Sequence, residues 1–201
     1  MNSDDAKMLV EKAWPLFVDE SRQQLGGELH YQAVAYHCLR QAGVPARQMG
    51  MNVKQWIEQP VSDLFRLHST SKKNPAYDGG FEPIPDIVLF KPEVNGNWQR
   101  RNTAITLADM LLVIEMKASE RDKRRLSVKE IMDDVAKLIA HREEVEHLGG
   151  KVTPVMMVVD VAAEAKGRMR EHEIATCAAR AAEAGIGWLY VSPDQQYCVL
   201  N

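Results

Sequence analysis

Residues 110–118, MLLVIEMKA, read as one β-strand that is apolar on both faces. A strand of this kind lies in the centre of a sheet covered by helices on both sides, because neither face is left for water. Glu115 and Lys117 are two residues apart and project from one face, while Ile114 and Met116 turn to the other. A carboxylate and an ammonium on a central strand are costly unless they are paired or hold a metal.

Upstream, Pro85-Asp86 introduces the apolar run Ile87-Val88-Leu89-Phe90, a second strand read over 84–90. Lys91 to Thr106, with Pro92 and Asn95-Gly96, reads as a long hairpin connection. If the two strands pair across it, Asp86 comes beside Glu115, and two carboxylates and a lysine converge at one end of the sheet. Further back, 4–22 is a helix interrupted by Pro15, which predicts a kink or two short pieces. Glu28–Gln41 is a second helix, closed by Gly43. Val53, Trp56 and Ile57 suggest a first strand, and 69–80 a loop. Downstream, the capping box Ser127–Glu130 opens a helix to about Leu148, with Val128, Ile131, Met132, Val135, Leu138 and Ile139 as its buried stripe. Val152–Val159 is another buried strand, 165–184 an alanine-rich helix, and 188–191 and 197–200 the last strands. The fold class expected is α/β, a mixed central sheet flanked by helices. One domain spans 1–201, with a helical lead-in at 1–25, a core at 26–160 and a helix-and-strand extension at 161–201.

Pro85-Asp86 followed at a distance by Glu115-Met116-Lys117 resembles the PD-(D/E)xK nuclease superfamily, the restriction-endonuclease-like fold. The element order from Glu28 to Val159 is similar to that family's core. The resemblance implies a nuclease, with Asp86, Glu115 and the backbone carbonyl of Met116 as metal ligands and Lys117 as the family lysine. It further implies a glutamate on the first core helix, for which Glu28 fits and Glu20 competes. The cofactor implied is Mg²⁺, with Mn²⁺ able to substitute. Hard carboxylate oxygens suit such an ion, which lowers the pKa of a bound water and offsets charge developing on phosphate. Lys117 would orient or help deprotonate the water, or stabilise the oxyanion.

Other residues are candidates for support. Arg121, Lys123, Arg124 and Arg125 follow the strand directly and suit DNA phosphates, with a solvated loop as the equal alternative. Arg100 and Arg101 beside Trp98 suit a groove or a base, or form a plain exposed turn. Lys137 is an auxiliary candidate on the long helix, although with Asp134 it also reads as an ordinary surface pair. Gln32 shares a helix face with Glu28 and either orients it or is a neutral helix residue.

The chain has 201 residues and a net charge of -3, which excludes a wholly basic nucleic-acid coat but not one local basic face. Three scattered cysteines, Cys38, Cys177 and Cys198, give no zinc or disulfide pattern and suggest a reducing, cytoplasmic setting. The acidic N-terminus is unlike a signal peptide, and no apolar run suggests a membrane span. No HExxH, P-loop or GxGxxG stands in the sequence. The function expected is a metal-dependent DNA endonuclease, a homodimer by analogy with the fold. The alternative is a non-catalytic nucleic-acid- or protein-binding module that keeps the same fold.

Overall fold

Two long helices open the chain, α1 (Ser3–Gln23) and α2 (Glu28–Ala42). The computed structural model describes residues 1–24, 26–71, 80–95, 104–120 and 124–200. An Asn2–Asp5 capping box starts α1, and Gly43 ends α2 in the left-handed region at φ 114°. Pro15 does not divide α1 into two pieces, since the helix runs unbroken from Ser3 to Gln23. It sits on the exposed side, where the carbonyl it leaves unbonded faces water, while Val10, Ala13, Trp14, Phe17 and Val18 pack inward.

The sheet has six strands in the order β1-β2-β3-β4-β5-β6. They are β1 (Met49–Met51), β2 (Ile87–Phe90), β3 (Met110–Ala118), β4 (Thr153–Val159), β5 (Gly187–Val191) and β6 (Gln196–Val199). The first three strands and the last pair run antiparallel, and β3, β4 and β5 run parallel. Helices α5 (Val128–His147) and α6 (Glu171–Glu183) make the parallel crossovers. The 161–200 segment thus completes the same sheet.

The central strands carry apolar side chains on both faces because each face has its own core. Ile87, Leu112, Ile114, Met116, Val155 and Met157 pack against α1 and α2. Val88, Val113, Met156 and Val158 pack with Ile131, Val135 and Leu138 of α5. Glu115 and Lys117 fall on the α5 side and interrupt that second core at the carboxyl end of β3. In open α/β sheets that is where ligand sites form.

The region between α2 and β2 departs most from expectation. The first strand lies at 49–51, before 53–57, because Asn52 turns the chain with φ 51°. Ile57 makes only an isolated bridge to Phe81. Part of the expected loop is helical, as α3 (Asp63–Ser71). Buried Glu144 of α5 accepts the backbone N–H groups of Val61 and Ser62, each at 2.9 Å, and satisfies donors at the entrance of that helix. A short helix, α4 (Ala104–Ala108), ends the hairpin connection. The expected 165–184 helix begins at Glu171, after a single 3-10 turn at Ala165–Gly167. Among the described residues, no helix is long and apolar enough to cross a membrane.

Candidate active site

Antiparallel pairing joins Asp86 to Glu115. Ile87 stands opposite Ile114, and one further step of that register sets Asp86 across from Glu115. Asp86 Oδ2 accepts the Met116 N–H at 2.6 Å, and Oδ1 accepts Gln32 Nε2 at 2.8 Å. Gln32 in turn accepts Asn52 Nδ2 at 3.1 Å, and the Asn52 N–H donates to the Asp86 carbonyl at 3.0 Å. This closed ring explains a left-handed asparagine, a residue that tolerates that backbone region. It also corrects the role read for Gln32, which orients Asp86 and not Glu28.

Glu115 is 6% exposed. Among the described residues, no hydrogen bond or ion pair ends on its carboxylate. Burial lifts its pKa well above the carboxylate range, and the charges of Asp86 and Asp134 add to the rise. Burial also lifts Asp86 to about 6, against the Met116 N–H that favours its charged form.

Lys117 lies 3.0 Å from Glu28 Oε2 and 3.0 Å from Asp134 Oδ2, and donates to the Met116 carbonyl at 3.2 Å. Burial opposes its charge, but Asp134 and Glu28 outweigh that and raise its pKa, so it stays an ammonium ion. Glu28, at the start of α2, therefore reaches the site. Glu20 is engaged elsewhere, accepting Gln24 Nε2 at 2.8 Å.

Asp134 corrects the surface-pair reading. It is 2% exposed and bonds Lys137 Nζ at 2.5 Å as well as meeting Lys117. The sequence carries a signal for this, since Asp134 lies at helical spacing between Ile131, Val135, Leu138 and His141, on the buried stripe of α5.

Two clefts meet the cluster. One, lined by Glu28, Lys117, Ser119 and Glu120, continues to Arg124 and Arg125. Arg124 lies 3.2 Å from Glu130, and Arg125 lies 4.0 Å from Glu173. The second is lined by Glu115 and Lys137 together with aromatic side chains. Arg100, Arg101, Arg121 and Lys123 lie outside the described residues, as do Trp98 and Lys72-Lys73.

Among the described residues, no three His, Cys, Asp or Glu side chains converge to hold a metal ion. The donor chemistry nonetheless fits a hard divalent cation. Two opposed carboxylates are buried, and among the described residues Glu115 has no hydrogen-bond donor to offset its desolvation. Mg²⁺ is commonly held by only one or two carboxylates, with water and substrate oxygens completing its shell.

His141, one turn after Lys137 on α5 and lining the same cleft as Glu115, is 1% exposed. Burial, with Lys137 adding, pushes its pKa down to about 3 from 6.5. The folded state resists protonation, so stability present above the unfolded value is lost as pH falls below it. Near pH 5 the loss is about 2 kcal/mol, because the unfolded value sets it once the folded value lies lower. Asp86 works in the opposite sense, so the test is a difference between proteins. In urea titrations the wild type should lose about 2 kcal/mol more than His141→Gln between about pH 7 and pH 5. Equal slopes would contradict the burial of an uncharged imidazole.

Compared with known proteins, the chain matches no protein-family model, no curated protein and no solved structure.

Proposed function

We propose that this chain is a divalent-cation-dependent nuclease that hydrolyses phosphodiester bonds in DNA, built on a restriction-endonuclease-like core from Glu28 to Val159. The reading rests on the buried pair Asp86 and Glu115, brought together from two strands beside a charged Lys117. Asp86, Glu115 and the Met116 carbonyl would hold Mg²⁺ or Mn²⁺, which when bound supplies Lewis acidity toward water and phosphate.

The chain's own residues divide the remaining work. Gln32 and the Met116 N–H fix the Asp86 carboxylate in one orientation. Lys117, held protonated by two carboxylates, cannot take a proton from water at neutral pH. Its part is to place positive charge where the phosphoryl oxygens gain negative charge. Glu28 and Asp134, each 3.0 Å from it, hold that ammonium in place. Arg124 and Arg125 line the same cleft as Lys117 and suit flanking phosphates. Two copies acting as a homodimer would account for cutting both strands of a duplex.

The competing reading, a binding module without catalysis, draws on the same ion pairs, which already occupy the Lys117 ammonium. Plasmid nicking separates the two. Wild type with Mg²⁺ or Mn²⁺ should convert supercoiled DNA to the open circle, and Asp86→Ala and Lys117→Ala should each lose this. Equal cleavage by all three proteins would trace to a contaminant, and DNA binding with no cleavage would favour the binding module.

A further inference from the structure

The second cleft supplies a substrate preference. Its volume is about 650 Å³, open solvent included. Four aromatic rings run through its wall. His141 meets Phe65 edge-on at 5.2 Å, Phe65 meets Phe81 at 4.7 Å, and Phe81 lies nearly parallel to His68 at 5.6 Å and 19°. The outer members, Phe81 and His68, are half-buried, and Ile84 at the rim is 45% exposed. Glu115 and Lys137 line the same cleft.

An aromatic ledge whose outer rings, Phe81 and His68, lie nearly parallel, in a cleft that also carries a carboxylate and an ammonium, suits a planar heterocycle with polar edges better than an aliphatic chain. The cluster's other side opens on a cleft in which Lys117, Arg124 and Arg125 stand beside Glu28, Glu120 and Glu130, and its three cations suit phosphate. One strand of nucleic acid offers both chemistries in succession, phosphate and then base. A base inside a duplex is already stacked and cannot turn into the ledge.

We propose that the cleft of Phe65, Phe81 and His68 receives a nucleobase beside the scissile phosphate, so the substrate is DNA that is single-stranded or locally unpaired. The proposal rests on the nuclease reading for the position of that phosphate.

The test is binding of the full chain, in EDTA so that DNA stays intact, to oligonucleotides carrying 2-aminopurine. Single strands should bind more tightly than blunt duplex, with the fluorescence quenched by stacking. His68→Ala should weaken single-strand binding roughly tenfold and relieve the quench. It should leave duplex binding unchanged. Phe81→Trp keeps the platform and should keep both signals, and melting curves show that each variant is folded.

Absence of quenching, equal affinity for duplex and single strand, or a silent His68→Ala would overturn the proposal. So would a dimer that Ile84→Glu dissociates, since a second copy would then cover the cleft. Cation-dependent plasmid cleavage without quenching sinks this proposal alone. Quenching without any cleavage leaves the base cleft standing and sinks the nuclease reading.

Discussion

Glu115→Gln should abolish cation-dependent cleavage and, in the same protein, raise the melting temperature. The native carboxylate is buried, faces Asp86 and Asp134, and receives no hydrogen bond among the described residues. A glutamine of the same shape removes the cost of desolvating a charge and the repulsion from two acids. Lys117 and Lys137 attract the carboxylate, but burial and the like charges outweigh them, as the raised pKa shows. The expected gain is about 1 kcal/mol in EDTA, or roughly 2–4 °C for a chain of this size. Mg²⁺ should then stabilise the wild type by binding only its folded state, and leave the variant's midpoint where it was. Calorimetry with and without Mg²⁺ reads both effects. A variant that is less stable in EDTA, or that still responds to Mg²⁺, would show that Glu115 is a structural residue.

Asp134→Asn should be the most damaging change on α5. The native carboxylate meets Lys117 at 3.0 Å and Lys137 at 2.5 Å, and neutralising it leaves both ammonium groups short of a partner. Breaking a fully buried pair costs about 3–5 kcal/mol. Both lysines reach solvent in part, so about 1–3 kcal/mol is expected here. Under the nuclease reading, cleavage should fall about 10–100-fold as the Lys117 ammonium loses its aim. DNA affinity measured in EDTA should change little, which separates this positioning role from a general loss of structure. In a Lys117→Met background, Asp134→Asn should have little further effect on cleavage, and the stability cycle should return a coupling of about 1–2 kcal/mol. Independent, additive effects in that cycle would remove Asp134 from the site.

The two changes pull stability in opposite directions although the side chains lie in one cluster. Asp134 is an acid with two basic partners, whereas Glu115 is an acid facing acids. The contrast is useful experimentally, because a cluster serving only to hold the fold together should lose stability at both positions. Sites that bind ligands commonly keep such unfavourable groups at a cost to the folded state.

Much of the molecule was legible in the chain because the relevant forces act over a few residues. The capping box at Ser127–Glu130, the stripe of α5, the glycine after α2 and the two-faced apolar character of β3 and β4 each determined an element by local hydrogen bonding or periodic burial. The meeting of Asp86 with Glu115 followed from assuming one antiparallel pairing. Tertiary structure alone decided the rest. Asn52 set where β1 ends, solvent on one side of α1 made Pro15 harmless, and Glu144 of α5 supplied the cap that makes α3 a helix. It also decided that Gln32 serves Asp86 and that Asp134 is a buried partner of Lys117. Those outcomes depend on which surfaces of distant segments come into contact, and a charge is worth little or much according to the water that such contacts exclude.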